Sequence, residues 1–238
     1  MTHLSRRRRN DATRLRSGVW QLDCGGVNAY LAEDPADSGT ITLVDAGTPW
    51  SVDRLRDGVA AAGFEPAAVE RVLMTHYDLD HVGGLAGIAV DGPHYIGASD
   101  QGFLIGDEKP PAGNLKGALQ RLVGPLVDRP DAEVVGLGDG DKVGSFRVYR
   151  TPGHTPGHVA YVSKRLSVAF VGDLVVESGG QLRPSPWYLS YDADRVVDSL
   201  SAFADKVAPV EAVGMGHGTP FVRDGAVRLA EAAAAAQS

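Results

Sequence analysis

A chain of 238 residues, 43% apolar and 22% charged, has an ordinary globular balance and enough material for a buried core. A formal net charge of −7 argues against a general nucleic-acid role, and the single cysteine, Cys24, excludes an internal disulfide and zinc sites of the Cys-x-x-Cys kind. Any metal must therefore be held by histidine and carboxylate.

Residues 1–16 carry "RRRR" at 6–9 together with Arg14 and Arg16. No apolar run follows, and both a signal peptide and a membrane helix need one. The segment reads as a solvated basic tail with no membrane role, and cytoplasmic location is the default expectation. "GVWQLDC", "VNAYLAE" and "TITLVDAG" then read as short strands split by Gly, Pro and Asp turns, an antiparallel start. "SVDRLRDGVAAAGF" has Val52, Leu55, Val59 and Ala62 at helical spacing, with Ser51 placed to cap the helix. "VERVLMT" is a short buried strand, and "THYDLDHVGG" follows at its C-terminal end, where loops of α/β sheets converge on ligands.

Residues 97–130 are rich in Gly and Pro with short helical patches, and are expected to form a cap inserted beside the site. "DKVGSFRVYRT", "GHVAYVSK" and "RLSVAFVGD" are strands. "ADRVVDSLSAFAD" is an amphipathic helix with Val196, Val197, Leu200 and Phe203 inward; "VEAVGMGHG" is a strand and "AVRLAEAAAAA" a closing helix. Strands, helix, strand and site thus occur twice. With no linker between the halves, residues 17–238 read as one domain.

His76, Asp78, Asp80 and His81 fall within six positions. His154 and His158 lie in "TPGHTPGH", Asp173 in "AFVGDLV" and His217 in "GMGHGTP", each after an apolar strand. A lone strand-end histidine is more often a hydrogen-bonded loop residue than a ligand. The joint pattern is different: imidazole and carboxylate suit Zn, Fe, Mn or Co, and Gly-rich turns let loops approach a shared ion. His94 reads as structural and His3 as part of the tail.

"THYDLDH", "TPGHTPGH", "FVGD" and "GHG", in that order, resemble the metallo-β-lactamase fold superfamily, nearest to its glyoxalase-II-like and lactonase-like hydrolases, over roughly residues 18–235. The resemblance implies an αββα sandwich: two mixed β-sheets packed face to face, helices on both outer faces, and the metal site at one edge. It also implies two divalent metal ions. His76, Asp78 and His154 would hold the first, Asp80, His81 and His217 the second, with Asp173 bridging. His158 has no ligand role in that pattern and would orient its neighbours. The family usually has His where this chain has Asp78. Zinc is the metal the family implies; a third carboxylate shifts preference toward iron or manganese. The plainer role for Asp78 is to cap the helix that starts beside it.

The leading reading is hydrolysis of an ester, thioester, lactone or phosphoester in a small-molecule substrate. A hydroxide shared by two metals about 3.5–4 Å apart would attack, with Asp80 orienting the nucleophile and shuttling its proton. The rival is a non-haem iron oxidoreductase, for which Asp78 is the main argument; a non-catalytic metal-binding scaffold is the third reading. Only 21 residues follow His217, too few for the glutathione-gripping extension of glyoxalase II, and Val176 stands where many homoserine-lactone lactonases have tyrosine. Pocket walls are expected from 97–130 and from "PSPWYLSY", where Trp187 and Tyr188 could be packing or substrate platforms.

Overall fold

A computed structural model describes residues 12–237. The chain opens with four strands, β1 (Ala12–Arg16), β2 (Val19–Asp23), β3 (Asn28–Asp34) and β4 (Thr40–Val44). Helix α1 (Val52–Ala61) and β5 (Val69–Leu73) follow, then the short helices α2 (Leu79–Val82) and α3 (Leu85–Ile88). Next come β6 (His94–Gly97), α4 (Ala98–Ile105), α5 (Leu115–Val123) and β7 (Val134–Leu137). The second half contains β8 (Lys142–Val143), β9 (Phe146–Arg150), β10 (Val159–Ser163), β11 (Val168–Gly172), β12 (Val175–Ser178) and β13 (Gln181–Pro184). It closes with α6 (Ala193–Lys206), β14 (Ala212–Met215) and α7 (Gly225–Ala236).

β1 to β7 form one sheet in sequence order, antiparallel up to β4 and parallel from β4 to β7. The second sheet has the order β14-β11-β10-β9-β8, with only β11 and β14 parallel. β10 (VAYVS) and β11 (VAFVG) are buried at every position because both faces of their sheet are covered. Tyr30, Val44 and Leu73 from the first sheet meet Phe146, Tyr161 and Phe170 from the second in the central layer. α1, α3 and α4 cover the outside of the first sheet, and α6 and α7 the outside of the second. This is the four-layer αββα arrangement. Each large apolar side chain fully buried in these layers contributes about 1.5–3 kcal/mol relative to exposure.

Four local expectations need correction. Residues 12–16 are not tail: they form edge strand β1, with Ala12 opposite Leu22 and Arg14 opposite Trp20. Arg14 also places its guanidinium 5.9 Å from the centroid of the Trp20 ring. The "RRRR" run lies outside the described residues. In the 97–130 segment, α4 is an ordinary crossover, because parallel strands β6 and β7 cannot be joined by a tight turn; only α5 lies over the site. Ser51 stands at the N-cap of α1 without capping it; its hydroxyl is taken by the backbone of Thr48. Val197 lies on the flank of α6, half-buried, while Val196, Leu200 and Phe203 face inward.

Candidate metal centre

Four strand ends converge at one edge of the sandwich. β4 delivers Asp45, β5 leads into the loop from Thr75 to Asp78 and then helix α2 with Asp80 and His81, β11 leads to Asp173, and β14 runs into His217. The turn between β9 and β10 adds His154 and His158. All seven residues proposed as ligands come together here. Among the described residues, three overlapping groups have ligand atoms close enough to share an ion: His76, Asp78 and His154; His76, His81 and Asp173; Asp80, His81 and His217.

The spacing of these atoms can be compared with coordination geometry. Two ligands about 2.1 Å from a tetrahedral ion stand roughly 3.4 Å apart. His81 Nε2 lies 3.5 Å from Asp173 Oδ1, His217 Nε2 lies 3.3 Å from Asp80 Oδ2 and 3.4 Å from Asp173 Oδ2, and His154 Nε2 lies 3.6 Å from Asp173 Oδ2. His81 Nε2 and Asp173 Oδ1 are buried side-chain atoms without a hydrogen-bond partner, although they face each other. Leaving a buried polar atom unpaired costs about 1–3 kcal/mol. An orphaned imidazole nitrogen opposite an orphaned carboxylate oxygen is the donor set a divalent cation would satisfy, so the residues present fit the implied metal.

A layer of hydrogen bonds around the ligands fixes which ring nitrogen faces the centre. Asp45 accepts at Oδ2 from the Thr75 hydroxyl (2.8 Å) and pairs with His81 Nδ1 (2.9 Å). The Thr75 oxygen pairs with His76 Nδ1 at 2.9 Å. Having given its proton to Asp45, Thr75 can only accept from His76, which leaves His76 Nε2 with a free lone pair. His217 Nδ1 donates to the Gly26 carbonyl (2.9 Å) and His154 Nδ1 pairs with the Ser185 hydroxyl (2.9 Å). His158 accepts at Nε2 from the Asp173 backbone N–H (3.1 Å) and pairs through Nδ1 with Thr151. It therefore positions Asp173 and is not among the three candidate ligand groups.

Electrostatics separate the two sides of the cluster. Burial disfavours charge on His81, but Asp45 and Asp173 carry its pKa up to about 9. Hydrogen bonds to Asp173 and Asp80 carry His217 up to about 11. Burial, reinforced by Lys116 and His76, drives His154 down to about 4 against the pull of Asp78. Burial opposes ionisation of Asp173 and Asp78; histidines His81 and His217 overcome it for the first, and Lys116 with two imidazoles for the second, so both lie well below the usual carboxylate range. The Cys24 thiol, pushed up to about 12 chiefly by burial, is no nucleophile.

Asp78 stands at the N-cap of α2, yet its side chain caps nothing. Instead it turns into the cluster, with Oδ2 3.1 Å from His76 Nε2 and 3.0 Å from His154 Nε2. The same oxygen forms an ion pair with Lys116 of α5, and its Oδ1 accepts from Gln120 at 2.8 Å. Reading the sequence missed Lys116, Gln120 and the supporting Asp45, Thr75 and Asp100. Asp100 is fully buried and ties the two ligand loops together, accepting from the Tyr77 and Gly157 backbone and from Thr155. The "VDAG" strand end was a signal for Asp45; Lys116, in a segment read only as cap, gave none. Trp187 (74% exposed) and Tyr188 (51%) stack edge-to-face on the surface, so core packing is not their role. A cavity of about 450 Å³ lined by Tyr77, Phe103, Gln120 and Arg129 lies beside the cluster. His94 is buried away from these groups.

Comparison with known proteins agrees with this geometry. A family model described as the metallo-beta-lactamase superfamily matches residues 22–217. YobT of Bacillus subtilis (strain 168) is 29% identical over 233 residues, covering 90% of this chain and 94% of that protein. A hydroxyacylglutathione hydrolase of Maricaulis maris (strain MCS10) is 30% identical over 168 residues, covering 68% of this chain and 53% of that protein. The crystal structure of a metallo-beta-lactamase family protein from Thermus thermophilus shares the fold, with a TM-score of 0.67 and 24% identity over 94% of this chain and 81% of that one. The chain belongs to the metallo-beta-lactamase superfamily.

Proposed function

We propose that the protein is a metal-dependent hydrolase acting on an ester or thioester bond of a small molecule, with His76, Asp78, Asp80, His81, His154, Asp173 and His217 as the ligand set. The observation that carries this reading is the orphaned pair, His81 Nε2 and Asp173 Oδ1, held 3.5 Å apart with neither satisfied by protein. Family membership and relatives that are hydrolases point the same way, and the hydroxyacylglutathione hydrolase among them is the reason for naming thioesters. Lactones and phosphoesters are the remaining candidates of the same chemistry.

Bound divalent ions would supply an acidified water and polarise the scissile carbonyl. The rest falls to the chain. Asp80 and His217 form the open side of the cluster, with side chains 38% and 34% exposed, so substrate and water would enter there. Against the penalty of burial, His217 and His81 hold the Asp80 carboxylate below its ordinary range. It would orient the attacking water and take its proton. His158 and Asp45 hold Asp173 and His81 in place. Zinc is the metal to expect. The rival iron reading rested on a third carboxylate, and Lys116 balances the charge of that carboxylate.

The test is hydrolysis of ester, thioester, lactone and phosphoester panels by zinc-loaded and chelator-stripped protein, alongside Asp173→Asn. Turnover of one class that disappears on stripping and in the variant is expected. Turnover that survives stripping, or none by protein shown to carry metal, overturns the reading.

A further inference from the structure

The ammonium of Lys116 stands against two of the three groups that would hold the first metal. It pairs with Asp78 Oδ2 and lies 3.1 Å from His154 Nε2, while that oxygen is 3.1 Å from His76 Nε2. Both atoms it contacts belong to the first ligand group, whose third member, His76, meets the same Asp78 oxygen. The charges also oppose: the Asp78 carboxylate brings −1 and Lys116 brings +1. His154 Nδ1 pairs with the Ser185 hydroxyl, and its Nε2 faces both the ammonium and Asp78 Oδ2. Lys116 is only 7% exposed, so no water shell substitutes for these partners.

The helix that carries Lys116 is built inside out. α5 buries Lys116, Gly117 and Gln120, while Leu115 is 68%, Leu119 47% and Leu122 76% exposed. Apolar burial normally docks a surface helix. Here two polar side chains one turn apart do it, Lys116 and Gln120 both gripping Asp78. Gln120 adds a bond to the Tyr77 carbonyl at 2.6 Å, and Asn114 donates to the Tyr191 carbonyl at 3.0 Å.

We propose that Lys116 is a built-in cation at the first metal position, so that a docked α5 and a first-position metal exclude each other. An ammonium and a divalent ion sharing one buried carboxylate repel strongly at such distances. The resting protein takes one divalent ion, at Asp80, His81, Asp173 and His217; a second enters only when α5 withdraws Lys116. This rests on the metal-dependent reading above.

The experiment counts metal. Chelator-stripped wild type and Lys116→Met are incubated with excess Zn²⁺, freed of unbound ion and analysed by plasma mass spectrometry, with circular dichroism to confirm folding. One equivalent in wild type and two in Lys116→Met is expected, and Co²⁺ substitution should show magnetic coupling between two ions in the variant alone. One equivalent in both proteins, or two in both, overturns the proposal and leaves the metal-dependent reading standing. No metal in either overturns both. If Lys116→Met fails to fold, two equivalents in wild type still overturns the proposal, and hydrogen exchange replaces the variant arm. One equivalent with protection of residues 115–123 unchanged by excess Zn²⁺ supports it; protection lost at one equivalent overturns it.

Discussion

Asp45 Oδ2 lies 2.9 Å from His81 Nδ1, and this contact decides which nitrogen of His81 faces the candidate metal centre. Asp45 has φ of 56°, a left-handed backbone that aspartate tolerates better than most side chains, and it also accepts from the Thr75 backbone N–H at 2.8 Å. Carboxylates behind ligating histidines typically contribute 10–100-fold in metal affinity, so about that loss is expected for Asp45→Asn. Competition with a chromophoric chelator at fixed pH measures it; unchanged affinity would show that the contact does not set the ring.

Gly216 presses directly on the same centre. A β-carbon there would collide with Asp173 Oδ1 and come within 2.6 Å of His81 Cε1. Gly216→Ala should therefore lower metal content while leaving the central core intact. Metal analysis and thermal melting, run side by side on the stripped protein, check this: normal stoichiometry would mean the loop shifts freely.

Asp78 and Lys116 are expected to be coupled. Asp78→Asn leaves a buried ammonium without its counter-charge, and breaking a buried pair on one side typically costs about 3–5 kcal/mol. Adding Lys116→Met should recover most of that loss. Urea denaturation of stripped single and double variants gives the coupling, and additive losses would show that the pair contributes nothing.

Metal uptake should depend steeply on pH. In the metal-free fold, burial opposes charge on both histidines, yet Asp45 and Asp173 raise His81 to about 9 and hydrogen bonds to Asp173 and Asp80 raise His217 to about 11. Below those values the site holds protons that a metal must displace, so affinity falls as pH falls, about tenfold per unit for each proton released. Metal-free stability runs the other way for these groups: a raised histidine stabilises fully below its unfolded range of about 6.5 and loses that contribution as pH rises through its folded value. Isothermal titration with Zn²⁺ in several buffers at pH 6–8 counts the protons; none released would contradict the assignment.

A chain beginning at Ser17 lacks β1 and exposes the edge of β2. Loss of the ladder from Ala12 to Arg16 and of the Arg14–Trp20 contact should lower Tm by several degrees, since about 1 kcal/mol shifts a fold of this size by roughly 2–4 °C. Turnover by the folded fraction should persist, because β1 is the edge strand at the far side of β2, β3 and β4 from β5 in their sheet. An unchanged Tm would return residues 12–16 to the tail.

The sequence by itself determined the main strands, two helices and the ligand loops, while the layering was what the family resemblance of those loops implied. Alternating and continuous apolar runs set β2 to β5 and β9 to β11, the 3.6-residue period set α1 and α6, and seven His and Asp residues at strand ends marked where loops would meet. Those signals are local, written within a few residues of the groups they position. The tertiary structure alone decided the rest. Arg14 and Arg16 look like tail because an edge strand with one partner needs little apolar pattern, and only its register against Leu22 and Trp20 reveals it. Lys116 sits 38 residues from Asp78 in a Gly- and Pro-rich stretch with its leucines exposed, so no periodicity announces that it is buried. A lone lysine acquires meaning only when folding removes it from water and leaves Asp78 and His154 as its available partners.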